Sequence, residues 1–304
     1  MNKSIPQITR EELATLLASP YPPLVIDVLP EDDYQTAHLP GAKNATVFKI
    51  TFIDDVKKLA PDPVKPLVVY GTSSRDLASA TAAEKLIAAG YKQVTDYGGG
   101  LEDWRAAGGA TEGTGVARNV PQLRDGSYEV NLETSRVEWA GRNLTTTHHG
   151  TIKLRAGHID VRDGRPVEGG FALNMESIEN LNIQETKLRE VLVWHLKSDD
   201  FFNVQHFPLA ELKLSKITPV PNARPGNPNY EVNGTLTIKG VSGEVSFPAI
   251  VAVTPDGVLA ADAHFDIDRT RWNILYGSGK FYEKLGMHLV NDEISIALKL
   301  KFLG

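Results

Sequence analysis

None of the 304 residues is a cysteine. That absence removes disulfides, thiolate metal sites, thiol nucleophiles and persulfide carriers together. An excess of positive charge is missing too. Thirty-two Lys and Arg stand against 38 Asp and Glu, for a net charge of −6, and no basic stripe stands out. A nucleic-acid partner is therefore not expected. No apolar run is long enough to span a bilayer. The opening segment Met1-Asn2-Lys3-Ser4-Ile5-Pro6-Gln7 lacks the apolar core of a secretory signal, which predicts a cytoplasmic address. What is present is 41% hydrophobic and 23% charged residues, the balance of a globular chain long enough for two ordinary domains.

Up to about residue 110, short apolar strands alternate with helical stretches. Leu24-Val25-Ile26-Asp27-Val28, Leu67-Val68-Val69-Tyr70 and Gln93-Val94-Thr95-Asp96-Tyr97 read as strands. Glu11–Leu17, Leu77–Ala89 and Leu101–Ala107 read as helices, with Gly90 placed to end the second. This alternation predicts an α/β sheet with parallel pairs. Between the second strand and its helix lies Gly71-Thr72-Ser73-Ser74-Arg75-Asp76. A strand-loop-helix junction aims several N–H groups and a helix N-terminus at one point, which favours an anion. Thr72, Ser73, Ser74 and Arg75 are the candidate anion-binding residues. Ser73 or Ser74 as a nucleophile would need an adjacent base, and no histidine lies nearby in sequence. Gly98-Gly99-Gly100 reads as loop geometry, since no phosphate-cradle lysine follows.

Gly108–Gly115 is glycine-rich without apolar periodicity and reads as a flexible linker. We place the linker at 111–126, between domains at 1–110 and 127–304. Beyond it the period changes to two. Ile294, Ile296, Leu298, Leu300 and Phe302 alternate with Ser295, Ala297, Lys299 and Lys301; Tyr230–Ile238 and Gly243–Val253 behave alike. Such strands predict an antiparallel barrel or sandwich. Leu188, Val191, Leu192 and Leu196 sit at helical spacing within one insert, and Pro219–Asn229 reads as a long hairpin loop.

Val25-Ile26-Asp27-Val28, Tyr34…His38-Leu39-Pro40-Gly41-Ala42, Tyr70-Gly71…Ala82-Ala83-Glu84-Lys85-Leu86 and Tyr97-Gly98-Gly99-Gly100-Leu101-Glu102-Asp103-Trp104 occur in the order of rhodanese-like domains. The resemblance covers roughly 7–109. It implies a five-stranded parallel sheet whose active loop begins with a persulfide-carrying cysteine. Gly71 stands at that position, Leu29 stands where an arginine commonly follows the Ile-Asp-Val strand, and Asp76 would repel thiosulfate. Sulfurtransferase activity is not expected, and His38 belongs to a structural turn. The domain reads as a docking or regulatory module that joins a protein partner or a second copy. The rival reading keeps an anion-directed transferase or hydrolase activity in the loop.

Trp139-Ala140-Gly141, His149-Gly150, Gly169–Ile178, His195-Leu196-Lys197-Ser198-Asp199-Asp200-Phe201-Phe202, Phe207-Pro208, Gly234–Val241 and Asp268-Arg269-Thr270-Arg271-Trp272 resemble the YceI family across the second domain. The resemblance implies a lipocalin-like, eight-stranded antiparallel barrel around an isoprenoid-type lipid. A barrel of that size either fills itself with side chains or holds one slender ligand. The implied ligand is a polyisoprenoid or quinone-type molecule, and no cofactor is required. Candidate ligand-binding residues are Trp139, His149, Phe171, Trp194, His195, Phe202, Phe265, Arg269 and Trp272, the large aromatics doubling as core. His195 is a candidate for a headgroup hydrogen bond and an arginine of the Asp268–Arg271 cluster for a pyrophosphate or quinone oxygen. The pair His148-His149 invites a metal reading, with His195, His158 or His264 to complete it. Adjacent strand residues face opposite sides, so no metal site is assigned.

Overall fold

The structure is a computed structural model describing residues 5–116 and 122–303, and it separates into two units, Met1–Asn119 and Val120–Gly304. Residues 117–121 of the expected linker and the first four residues of the opening segment lie outside the described residues.

The first unit runs α1 (Arg10–Leu17), β1 (Leu24–Asp27), α2 (Glu31–Thr36), β2 (Lys43–Asn44), α3 (Phe52–Leu59), β3 (Leu67–Tyr70), α4 (Ala78–Ala88), β4 (Val94–Tyr97) and α5 (Gly100–Ala106). Its sheet is parallel, in the order β2-β1-β3-β4. Among the described residues four strands form, where five were implied; at the β4 edge lies a single parallel bridge, Gln7 with Asp96. Every residue of β3 is buried because both faces of the sheet are covered. Ile26 and Val69 pack with Phe52, Val56 and Leu86 on one face, while Val25 and Val68 pack with Leu13, Leu39 and Tyr97 on the other. The chain enters α1 through a capping box, Thr9 and Glu12 satisfying each other's amides.

The stretch expected to be flexible is held in place. His38 and Glu112 exchange backbone hydrogen bonds, and Thr114 N and Gly115 N donate to Gln35 O and Thr36 O. Gly113 has φ +124°, and a Cβ there would fall 2.7 Å from Thr36 O. Glycine content here marks a close backbone approach rather than freedom.

The second unit contains β5 (Gly126–Glu129), β6 (Arg136–Arg142), β7 (Thr147–Arg162), β8 (Arg165–Asn180), α6 (Thr186–Lys197), β9 (Leu209–Pro219), β10 (Tyr230–Ile238), β11 (Val241–Val253), β12 (Leu259–Asp268) and β13 (Glu293–Lys301). Antiparallel pairing runs β7-β6-β13-β12-β11-β10-β9-β8, and β8 pairs again with β7, so eight strands close into a barrel. Strand β5 adds only to the far half of β7, at Val161–His158. Two hairpins turn on two residues of positive φ, Asp163-Gly164 and Lys239-Gly240, the backbone twist that tight hairpins require. The loop expected over Pro219–Asn229 links β9 to β10. Inward residues such as Val137, Ile152, Leu212, Leu236 and Leu298 form one apolar interior. The insert α6 is a helix as expected, but its apolar residues divide. Leu196 is buried and Leu192 packs on the core, whereas Leu188 and Val191 are exposed.

Asp27, at the end of β1, is fully buried, and its Oδ1 accepts from Leu29 N at 2.9 Å. Burial raises its pKa, outweighing the hydrogen bonds that favour the carboxylate. A folded pKa above the unfolded value means that this group's contribution is fully present below the unfolded pKa, about 3.9, and lost as pH rises through the raised folded value. Asp27→Asn removes that loss. In denaturant titrations at pH 4 and pH 8, the variant is expected to gain on the wild type by an amount of order 1 kcal/mol at the higher pH. A difference independent of pH would contradict the assignment.

Candidate functional site

The barrel interior is divided along its axis. Toward one end Ile217, Val232, Phe247, Val251 and Phe302 leave a void of only about 40 Å³. Toward the other lies a cavity of about 340 Å³. Phe171, Leu212, Leu298 and Leu300 line both spaces. Phe171 packs on Phe302 with ring centroids 6.3 Å apart, and Phe265 stacks on Phe247 at 4.1 Å. These aromatic pairs fill one end and so fix where the open space begins.

The cavity wall is mostly aliphatic and aromatic: Val137, Ile152, Leu154, Leu173, Met175, Leu236, Ile238 and Ile296 come from the strands. At the other side it meets the β6–β7 turn, α6, and the segment before β13 through Asn143, Leu192, Tyr276, His288 and Leu289. No lysine lines it. Gly141 lies on this wall, and a Cβ built there meets nothing within 4 Å, so its glycine leaves open space.

Of the residues expected at the ligand site, Trp139, Phe171, His195, Phe202, Phe265 and Arg269 line the cavity. Three do not. His149 is exposed, because its neighbour His148 takes the inward position on β7 and successive strand residues alternate faces. Trp194 is 71% exposed, beside Arg189 and Glu179 on the outer side of α6. Trp272 is fully buried, its Nε1 donating to Leu236 O at 2.8 Å and its ring over Gly243, where a Cβ would come within 3.0 Å. Trp272 braces the wall from outside the cavity.

Two polar groups are committed elsewhere. Arg269 is almost wholly buried; its Nε donates to Asn291 O, Nη1 to Ile274 O and Nη2 to Val290 O, at 2.7–3.1 Å, with Asp292 at 3.6 Å. Burial draws its pKa below the ordinary value against the pull of Asp292 and Asp268. It ties the segment after the 3₁₀ turn Arg269–Trp272 to the one before β13. His195 Nε2 lies 3.1 Å from Asp200 Oδ2, its ring edge-on to Phe201 and Tyr276. Sequence reasoning missed His148, Gly141, Leu192 and Tyr276. Strand parity points to the first two only once the β6–β7 register is known: Gly141 pairs with His148, and Trp139 with Gly150. Among the described residues no group of three or more His, Asp or Glu could hold a metal ion.

The loop of the first unit is filled from within. Asp76 Oδ2 accepts from Thr72 N at 3.1 Å and its Oδ1 from Ala78 N at 2.9 Å. A Cβ on Gly71 would fall 2.9 Å from that same Oδ2. The carboxylate thus occupies the cradle in which an external anion was expected. Arg75 does not turn toward it; its Nη2 pairs with Glu102 at 3.2 Å, out in solvent. Ser73 Oγ accepts from Arg75 N, and His38, read as part of a structural turn, lies 2.7 Å from Tyr34 O and 3.6 Å from Glu112. Thr72 N is therefore taken by Asp76, and among the described residues no hydrogen bond joins Ser73 or Ser74 to a histidine or a carboxylate. Gly100, at φ +67°, abuts Gly71 O and Ser73 N, so the glycine triplet serves to let α5 approach the loop.

Residues 128–302 match the YceI-like domain, and residues 9–107 match the Rhodanese-like domain. The chain belongs to the YceI-like family. No curated protein matches it. Among solved structures it is similar to Burkholderia cenocepacia BcnA, at 23% identity over 57% of this chain and 98% of that one, TM-score 0.46. It is also similar to a polyisoprenoid binding domain from Saccharophagus degradans implicated in plant cell wall breakdown, at 14% identity over 58% and 97%, TM-score 0.42. The first unit is similar to the rhodanese-like domain of an Anabaena sp. protein, at 27% identity over 40% and 88%, TM-score 0.33. No helix among the described residues is long and apolar enough to cross a membrane.

With no cysteine in the chain and Asp76 in the cradle, a thiosulfate:cyanide assay is expected to read zero. Gly71→Cys alone is expected to stay inactive, its thiol crowded and its thiolate repelled by Asp76. Gly71→Cys/Asp76→Ala frees both amides and is the variant expected to form a persulfide, read by intact mass. Turnover by Gly71→Cys alone would show that Asp76 does not block the site.

Proposed function

We propose that the barrel binds one apolar ligand of the isoprenoid or quinone type, for storage, transport or sensing. The observation that carries this is the cavity of about 340 Å³ with an almost wholly apolar wall, open beside a barrel end that is packed shut. A slender hydrocarbon tail suits it, since each buried methylene contributes about 0.8 kcal/mol without needing a directed contact. The YceI-like family match supports the reading, and the similar Saccharophagus degradans structure is that of a polyisoprenoid binding domain. We further propose that the rhodanese-like unit serves docking or regulation, as a platform for a protein partner or a second copy. Its exposed Phe48, Ile50 and Leu77 support that role.

Organic extraction of the purified full-length protein followed by mass spectrometry is expected to release a prenyl-chain compound. Gly141→Leu, which grows into open space, is expected to fold normally and to lose at least about tenfold in that compound. Wild type that carries no lipid and takes up none on titration would end the proposal. For the first unit, Phe48→Ser/Ile50→Ser is expected to shift the protein toward monomer in light scattering or to release a co-purifying partner. An unchanged mass and an unchanged set of companions would remove that role.

A further inference from the structure

Within the apolar cavity two nitrogen atoms stand out. Trp139 Nε1 and His148 Nδ1 are both buried, and neither has a hydrogen-bond partner among the described residues. Both residues line the cavity. The β6–β7 register sets Trp139 opposite Gly150 and Gly141 opposite His148. Trp139 and His148 are therefore diagonal neighbours on one face, with Cβ atoms roughly 7 Å apart. Gly141 sits beside them with open space in front of it. Elsewhere the strand-borne wall offers only carbon, apart from the thioether of Met175 and Arg142 at the end of β6.

An indole N–H is a donor only, whereas an imidazole Nδ1 donates or accepts according to tautomer. A buried donor without an acceptor is costly, and the cost vanishes when a ligand oxygen takes the bond. The charge on that oxygen follows from the cations nearby. Arg269 is already bonded to three carbonyls. Arg142 turns to the outer face, its Nη1 donating to Ser295 Oγ at 2.8 Å, and Ser295 in turn bonds Asp266. His195 faces Asp200. His288 is the remaining basic residue on the wall, among the segment that precedes β13. A diphosphate would need several free cationic donors in this low-dielectric space, and the wall does not supply them.

Resting on the apolar-ligand reading above, we infer that the ligand ends in an uncharged oxygen held by Trp139 and His148. A quinone carbonyl accepts from both rings. A prenol hydroxyl accepts from Trp139 and donates to the other histidine tautomer. Trp139 and His148 are then the residues that select the headgroup, while the aliphatic wall holds the tail.

The test titrates delipidated full-length protein with four compounds of one tail length: a prenyl hydrocarbon, the prenol, a prenylated benzoquinone and the prenyl diphosphate. Wild type is compared with Trp139→Phe and His148→Leu, both of which remove the polar atom and keep an apolar side chain. The prenol and quinone are expected to bind about five- to tenfold more tightly than the hydrocarbon, one net hydrogen bond's worth. Trp139→Phe and His148→Leu are each expected to reduce that preference, and the two together to erase it, with hydrocarbon affinity unchanged. Hydrocarbon binding also reports that each variant is folded, and His148→Leu carries the test if Trp139→Phe binds nothing. A preference that survives both substitutions overturns the inference and leaves apolar binding intact. A diphosphate that binds tightest does the same. Failure of all four compounds on wild type ends both readings.

Discussion

Pairing of β7 with β8 joins the two edges of the second unit's sheet, and the rest of that unit follows from the circumference this sets. Eight strands enclose a space about wide enough for their own inward side chains. Whether that space is full or open is then decided by residue size at each level. Phe247, Phe302, Ile217 and Val232 fill one end, while Gly141, Met175 and the aliphatic wall leave the other open. Both long strands, β7 and β8, have 16 residues, and β8 runs on to Asn180. Asn180 Nδ2 donates to His149 O and its Oδ1 accepts from Ile183 N, which fixes where the chain leaves the barrel toward α6. The helix then brings Leu192, His195 and Leu196 to the cavity wall.

Arg269 does comparable work on the opposite side. Its three hydrogen-bonded nitrogens hold the carbonyls of Ile274, Val290 and Asn291, residues that border the cavity. A buried guanidinium is stable only when its donors are used. Here they are used by backbone that a barrel loop would otherwise leave irregular. The aromatic contacts of His195 with Phe201 and Tyr276 tie α6 to the same segment. The segments at this end of the cavity are thus held by polar and aromatic contacts made within the protein.

How much of this was legible depended on whether the signal was local. β10 and β3 were readable to the residue, because alternation or an unbroken apolar run is a property of the strand itself. Helix α3 was not recognised, since Phe52 and Val56 carry its buried face amid four charged residues and Thr51 makes no side-chain cap. Short α2 likewise lacks any buried residue. In the site, Trp139 and Phe171 were accessible from their setting in apolar strands. The choice of His149 over His148 went astray because parity has to be counted from a partner strand, and the β6–β7 register is a tertiary fact. Trp272 shows the same limit: a large apolar residue next to arginines reads alike whether it lines a cavity or braces its wall. The role of Asp76 needed the loop's fold, since a carboxylate five residues after Gly71 carries no sequence mark of bonding back to Thr72 N.

The two units pose one physical question, namely what satisfies buried hydrogen-bonding groups, and they answer it in opposite ways. A strand-loop-helix junction keeps its N–H groups converging whether or not a thiolate is present, so loss of the sulfur would leave them without an acceptor. Asp76 supplies one from the same loop, and the room a side chain at Gly71 would take is the room its carboxylate uses. The electrostatics of an anion site are retained, with the anion built into the chain. In the barrel, Trp139 and His148 face open space with no such internal acceptor. An apolar wall cannot provide one, and a fully hydrocarbon occupant would leave the same two nitrogens unbonded. In the first site the donors are satisfied within the loop; in the second two nitrogens face the cavity unbonded, and only an occupant carrying a polar atom would bond them.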